Sequence, residues 1–466
     1  MLKTKKYITE GPLFSRIFFF AVPIMLTGIL QLVYNMADHI VVGQFSGDPT
    51  ALAAVGSTAS LTNLIMNLVM GIAGGVSVVI AQFYGAQDDR RVSRGAHTAM
   101  TVSVIMGVIF GAIGLIISEP VLVLMGTKPE ILDSAVLYFR IICLGIPAQA
   151  IYNFGAAILR AVGDTKTSLK ILTCTGIVNV IFNLIFVLGF GMSVDGVAIA
   201  TIIAQYLSAV SVFVILLLRR AESYGFSFKK YAFDVRIFGR MLRFGVPAGI
   251  QSSMFSISNV LLTSAANTFD TAVVTAKAIA GNIDGVTYTC MNCFFHASMT
   301  FAAQNYGAKK PERIKRALWY SLIQVTLVGI SVAAIEFIFR GQLSSLFIDA
   351  TDPNKELIIG YVEQIMYSIL LPYFLCGIQE VLAGAIRGLG YSIVPMITSL
   401  VCICGLRILW IFFVFPLEAF NTIGGLMFCY PVTWLIIIVC LAAEIAIAWK
   451  NKLKPLEETA SESVAA

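Results

Sequence analysis

Two passages of this chain repeat one another, one in each half, and both lie in apolar runs long enough to cross a bilayer. Phe20-Ala21-Val22-Pro23 opens a stretch that closes at Ala81-Gln82-Phe83-Tyr84-Gly85-Ala86; Phe244-Gly245-Val246-Pro247 opens one that closes at Ala303-Gln304-Asn305-Tyr306-Gly307-Ala308. Basic residues follow each closure at matching positions, Arg91 and Arg94 in the first copy, Arg313 and Arg316 in the second. Later in each half, Ile158-Leu159-Arg160-Ala161-Val162-Gly163 answers Ala385-Ile386-Arg387-Gly388-Leu389-Gly390. The chain reads as a duplicated membrane unit. Parallel repeats of this kind build two lobes about an axis along the membrane normal, with a cavity between or inside them.

With 58% hydrophobic and 12% charged residues, one soluble core cannot hide the apolar side chains, and the mean hydropathy of +0.86 makes lipid the solvent for much of the surface. A net charge of +6 would suggest nucleic acid in a soluble protein. Here it follows from loop topology, and no nucleic-acid partner is expected. The basic start, Lys3, Lys5, Lys6 and Arg16, resembles that of a signal peptide, but the run 17–43 is too long and lacks a small-residue cleavage site, so it is retained as the first span. Nine cysteines scattered through apolar segments suggest neither disulfides nor a metal site. Cys290 and Cys293 form a CxxC with no second pair, and His39, His97 and His296 are dispersed. No HExxH, GxSxG or GxxxxGK[ST] string occurs, so the sequence supports no protease, ATP-driven pump or other enzyme, and no cofactor is expected.

At about 20 apolar residues per crossing, the chain predicts an all-α polytopic membrane protein of twelve transmembrane helices in two pseudo-symmetric six-helix bundles. The spans fall near 15–43, 52–82, 93–117, 131–158, 168–190, 195–218, 238–266, 275–303, 315–340, 358–385, 393–416 and 422–449. Residues 1–218 form an N-lobe, 219–237 a linker, 238–450 a C-lobe and 451–466 a disordered cytoplasmic tail. Alternate connections carry the Lys and Arg, with the densest set between Arg219 and Arg243, whereas the opposite connections are acidic around Glu119, Glu130, Asp133, Asp349 and Asp352. The positive-inside rule then places both termini in the cytoplasm.

Asp38 carries the most weight among the intramembrane polar groups. A carboxylate within a spanning helix costs roughly 2.5 to 3.5 kcal/mol on insertion scales, so it should face a cavity and mark an ion or proton path. An Asp hydrated near the outer interface is the plainer alternative. Asn35, one turn earlier, shares its face. Asn179 and Asn183 stack one turn apart on the fifth helix and Thr201 offers a hydroxyl on the sixth, either as cation ligands or as links between helices. Pro23, below Asp38, is a candidate hinge among several helix-interrupting prolines that include Pro372.

The second half has a different polar set. Asn259 stands at the same offset from Asn35 as Pro247 from Pro23, but Leu262 occupies the counterpart of Asp38. Asp284, Glu380 and Arg407 are its intramembrane charges, and Arg407 is expected to pair with Glu380 or Asp284. Glu336 and Glu444 are expected at the interface. Tyr34, Met66, Met70, Met254, Tyr288 and Met291, with Asn259, Asp284, Glu380 and Arg407, make a candidate substrate cavity with walls suited to flat amphipathic cations, although ordinary packing also explains such residues.

These segments, about residues 12–450, resemble the multidrug and toxic compound extrusion (MATE) transporters. The resemblance rests on Leu32 to Gly43, Leu52-Ala53-Ala54-Val55-Gly56, the two Ala-Gln-x-Tyr-Gly-Ala closures, the Arg-x-x-Gly turns at Arg160 and Arg387, and Gly196 to Thr201. It implies two six-helix bundles exporting drugs or metabolites in exchange for inward H⁺ or Na⁺. In the branch like the DNA-damage-inducible members it implies a cation site to which Asp38, Asn179 and Thr201 correspond, while Asn183 departs from the pattern, replacing a second carboxylate. With one anionic ligand, protonation of Asp38 is retained more readily than tight Na⁺ binding.

The sequence therefore reads as an antiporter of a bacterial cytoplasmic (inner) membrane that exports amphipathic cations. Its partners would be a small-molecule substrate, H⁺ or Na⁺, and the lipid bilayer, and it would act as a monomer. A lipid-linked saccharide or phospholipid flippase is the alternative, and a non-transporting receptor or scaffold a third.

Overall fold

A computed structural model describes residues 8–45, 51–348 and 353–458. Asp349 and Asp352, and Lys3, Lys5 and Lys6, lie outside the described residues. The first half contributes α1 (Leu13–Phe45), α2 (Ala51–Gly85), α3 (Asp89–Leu124), α4 (Pro129–Ala161), α5 (Thr165–Leu184) and α6 (Val194–Leu218). In the second half come α7 (Val235–Ala266), α8 (Thr271–Gly307), α9 (Pro311–Ile338), the short α10 (Arg340–Ser345), α11 (Lys355–Ile369), α12 (Phe374–Gly388), α13 (Ile393–Ser399), α14 (Leu406–Leu409), α15 (Ile423–Met427) and α16 (Cys429–Ala448). Nine helices among the described residues are long and apolar enough to span a bilayer, and the bent pair α11–α12 makes a tenth span. α7 and α8, at 32 and 37 residues, are long enough but more polar, carrying Gln251, Asn259, Lys277 and Asp284, and they complete twelve. The protein is an all-α polytopic membrane protein. Side chains such as Ile116 at 76% and Leu218 at 77% exposure suit lipid rather than water.

The repeated motifs fold into repeated turns. α2 ends with Gln87 at φ 57°, and α8 with Lys309 at φ 54°, the two non-glycine residues of positive φ among those described. In both, the following amide reaches back five residues, Asp88 N to Phe83 O at 3.1 Å and Lys310 N to Asn305 O at 2.9 Å. This is the closure that satisfies the last carbonyls of a helix. The Arg-x-x-Gly copies do the same with glycine in the left-handed position, Gly163 at φ 94° and Gly390 at φ 87°. Asp164 N then bonds Leu159 O at 2.9 Å, and Tyr391 N bonds Ile386 O at 3.2 Å.

Packing divides the chain into two compact units, Leu26–Ser253 and Met1–Met25 with Met254–Ala466. The divisions fall inside α1, two residues after Pro23, and inside α7, six after Pro247. No local pattern signals which neighbour a helix will choose, so this could not be read from composition.

Within the first unit, α2 and α7 approach at two glycine pairs: a Cβ on Gly71 would overlap the backbone of Gly249, and one on Gly75 the backbone of Gly245 and Met241. Gly176 of α5 likewise leaves room for the Tyr34 ring. Asp164 caps α5, accepting from Thr167 N at 3.1 Å, and its other oxygen takes Arg219 Nη1 at 2.6 Å, joining the start of α5 to the end of α6. The segment expected as linker lies on α3. The His97 ring, fully buried, accepts from Ser227 N at 3.0 Å through Nε2 and donates to Ser93 O at 2.7 Å through Nδ1. Asp234 N donates to Thr98 Oγ1 at 3.0 Å.

Within the second unit, α11 and α12 meet at a 45° bend, where Pro372 lacks the amide that would continue the helix. A single span had been expected over 358–385. π-helical turns at Leu400–Gly405 and Trp410–Val414 flank α14, which carries Arg407. Residues 451–458, expected in a disordered tail, remain helical: Leu453 is 1% exposed and Lys452 Nζ donates to Leu389 O at 2.8 Å. Residues 459–466 lie outside the described part.

Candidate functional site

Asp38 is half-buried on α1, and its Oδ1 accepts from Asn183 Nδ2 at 2.5 Å. The same Nδ2 lies 3.5 Å from Asn179 Oδ1, and Asn179 Nδ2 reaches Thr201 Oγ1 at 3.4 Å. One chain of contacts thus links α1, α5 and α6. The one-turn spacing puts Asn179 and Asn183, 5% and 0% exposed, on a single buried face of α5. Thr201 turns its own hydroxyl hydrogen to Val197 O at 2.9 Å, leaving oxygen lone pairs for the site. Asn183 Oδ1 is buried without a hydrogen-bond partner among the described residues. A carboxylate, an unpartnered amide oxygen and a hydroxyl oxygen are hard donors suited to Na⁺, and the same carboxylate can take a proton.

Asp38, Asn35, Asn179 and Thr201 line a cavity of about 150 Å³ that Tyr34 and Gln149 share. Tyr34 OH donates to Thr173 O at 3.3 Å. The cavity sits wholly in the first unit.

A cavity of about 410 Å³ opens in the second unit, with Asn259, Lys277, Asp284 and Tyr430 in its wall. Arg407, 5% exposed, does not form the ion pair expected of it. Its Nη1 donates to Asn259 Oδ1 at 3.0 Å and its guanidinium lies 4.2 Å from the centre of the Tyr430 ring. No ion pair joins it to Glu380 or Asp284 among the described residues. An amide oxygen and a π face hold this buried cation without a direct ion pair, and Asp284 stands close enough to feel its charge.

Glu336, two residues from the end of α9, is 6% exposed and accepts from Thr287 Oγ1 at 2.5 Å. Glu444 accepts from Thr398. Glu380 is half-buried, with Gln379 and Asn292 as hydrogen-bond partners. Asn292 also donates to Tyr288 OH at 3.4 Å. Of the methionines expected on a cavity wall, Met291 is fully buried and packs against Gly329 and Gly377, so it fills the core instead. Met66 packs on the cluster around Ile65 and Phe139, Met70 is 51% exposed, and Met254 offers its carbonyl to the Cys404 thiol at 3.5 Å. Leu262, the counterpart of Asp38, is fully buried. Sequence reasoning missed Thr287 with Glu336; a threonine beside an acidic residue on another helix leaves no mark in either local pattern.

Comparison with known proteins places the chain. The MatE family model matches twice, over residues 23–185 and 247–413, one match per half. The probable multidrug resistance protein YoeA of Bacillus subtilis is 26% identical, covering 93% of both chains. The FAD transporter of Shewanella oneidensis is also 26% identical, over 88% of this chain and 89% of its own. A solved outward-facing multidrug resistance MATE family transporter of the MOP superfamily shares the fold, with TM-score 0.87, 22% identity, and coverage of 96% of this chain and all of that one. The double match falls on the two halves already marked by repeated turns, and the chain belongs to the MatE family.

Proposed function

We propose that the protein is a secondary antiporter of the bacterial cytoplasmic membrane that exports amphipathic drugs or metabolites in exchange for inward H⁺ or Na⁺, with Asp38 as the coupling carboxylate. The observation that carries this reading is a carboxylate in mid-helix, lining a cavity and touched by amide and hydroxyl groups rather than by a fixed base. A permanent ion pair would remove its reason to exchange partners. Asp38 has none among the described residues.

The amide geometry defines two states. With Asp38 ionised, Asn183 donates to it through Nδ2. A proton on one carboxyl oxygen adds a donor, for which the unpartnered Asn183 Oδ1 is an available acceptor once the amide turns, and Na⁺ calls on the same oxygen. In this reading cation loading turns the amide and reverses the hydrogen bond between α1 and α5, and Pro23 on α1 is the proposed hinge through which the reversal bends the helix. Each charge entering across 100 mV releases about 2.3 kcal/mol, equivalent to roughly a fiftyfold gradient of a neutral substrate.

The flippase alternative needs a strongly cationic cavity. Arg140 pairs with Glu119 at 3.4 Å and Arg407 is held by Asn259, leaving Lys277 as the base in the wall of the second unit's cavity. The antiporter reading is tested in proteoliposomes under separately imposed proton and sodium gradients. One of the two gradients should drive accumulation of a dye such as rhodamine 123, and Asp38→Asn should abolish the driven component while leaving the melting temperature within a few degrees. Gradient-driven transport by Asp38→Asn at wild-type level would remove the carboxylate from the mechanism.

A further inference from the structure

We propose that the cavity of the second unit binds an amphoteric ligand, one carrying both an anionic and a cationic group, with Lys277 taking the anion and Asp284 the cation. This rests on the export reading and narrows its substrate class.

Both residues are on α8, seven positions apart, and both line the cavity. Seven residues are close to two full turns, so the side chains share a face and their backbones stand about 10.5 Å apart. Neither is ion-paired among the described residues. Lys277 Nζ has a neutral partner, Thr263 Oγ1 on α7 at 2.6 Å, which orients the ammonium and leaves its other two hydrogens without an acceptor from that group. Asp284 interacts through its side chain with the Tyr373 hydroxyl, while its Oδ1 is buried with no hydrogen-bond partner among the described residues.

The other charges near the cavity already have polar partners of their own. Arg407 donates to Asn259 Oδ1 and covers the Tyr430 ring, and its charge also acts on Asp284 from beside the wall without a direct ion pair. Glu336, on α9, receives the hydroxyl of Thr287, which stands one turn beyond Asp284 on α8. The wall therefore presents a cation at one level and an anion two turns further along, with amides and hydroxyls of Asn259, Thr263 and Asn267 beside them. A purely cationic ligand would meet Asp284 but also repulsion from Lys277; a purely anionic one would meet the reverse. A ligand with separated opposite charges satisfies both, and about 410 Å³ accommodates a fused aromatic ring system between them.

The test uses the full chain in detergent and equilibrium fluorescence polarisation with two dyes. Rhodamine 110 has a free carboxylate and a cationic xanthene; rhodamine 123 is its methyl ester and is cationic only. Wild type should bind rhodamine 110 about tenfold tighter than rhodamine 123, the scale of one charge-assisted contact. Lys277→Met should erase the preference by weakening rhodamine 110, Lys277→Arg should retain most of it, and Asp284→Asn should weaken both dyes. Equal affinity of wild type for the two dyes overturns the proposal without recourse to any variant, as does an undiminished preference in Lys277→Met. Binding needs no ion gradient, so the export reading is scored separately: retained preference without driven transport counts against export alone, and driven transport without preference counts against the amphoteric ligand alone.

Discussion

Replacing Asn183 by Asp would place a second carboxylate beside Asp38 and leave a cluster that needs a cation to hold two charges together. In the native arrangement Asn183 Nδ2 lies 2.5 Å from Asp38 Oδ1 as a donor. An aspartate of the same length puts an oxygen where that nitrogen stands, and two charges about 4 Å apart in partly buried surroundings repel by about 4 kcal/mol at an effective dielectric of 20. Nothing basic lines the cavity to absorb this, since its polar wall is made of amides, hydroxyls and Asp38 itself. Purified Asn183→Asp protein at about pH 8 in potassium or choline buffer should therefore melt below wild type. Sodium at a hundred times its dissociation constant should return about 2.7 kcal/mol by mass action, raising the melting temperature by a few degrees. Wild type should respond much less. The assay is thermal unfolding followed by intrinsic fluorescence, with sodium exchanged for potassium at constant ionic strength. A variant as stable as wild type in sodium-free alkaline buffer, with no sodium response, would refute the placement of the two side chains against one another.

Three further outcomes are expected. Burial pushes the Asp164 carboxyl up, but hydrogen bonds from Thr167 and Arg219 and the Arg219 charge outweigh it and hold the group below its ordinary value; its stabilisation is full at neutral pH and disappears as pH falls through the folded value. Asp164→Asn should thus lower stability by about 1 to 2 kcal/mol at pH 7, with the gap to wild type closing only below about pH 4, as read from melting curves across pH. Gly71→Val should lose at least about 1 to 3 kcal/mol or fail to fold, because its Cβ meets the Gly249 backbone, whereas Gly74→Ala, with open space around it, should be neutral or stabilising, as compared by yield and melting temperature. Thr287→Val should leave the buried Glu336 carboxyl without the hydroxyl it accepts, costing about 1 to 3 kcal/mol, while Thr287→Ser should restore most of it.

Much of this architecture is legible in the sequence because the bilayer leaves so few alternatives. Long apolar runs must be helices, and the repeated Tyr-Gly-Ala and Arg-x-x-Gly strings mark where they stop, since the last carbonyls need the same closure each time. Asp38, Asn179, Asn183 and Thr201 stand out for an energetic reason: polar groups in hydrocarbon are costly enough to need one another, and the structure puts the four in contact. Partners across helices were not legible. Arg407 met an amide and a ring instead of a carboxylate, Met291 filled a notch beside two glycines, and His97 held the segment that read as the linker between halves. Each depends on which helices become neighbours, which no single run of residues encodes. The division of α1 and α7 between two compact units is hidden for the same reason.

The paired left-handed turns at Gln87 and Lys309 separate what a duplication had to keep from what it was free to change. Backbone geometry recurs there with unrelated side chains, glutamine in one copy and lysine in the other. Higher on the first helix of each copy the opposite holds, for one bears an acid beside a cavity and the other a leucine sealed from solvent. The duplication therefore survives as scaffolding while the side chains have diverged: at that level one half keeps a carboxylate that a mobile partner could reach, and the other has closed the position with hydrocarbon.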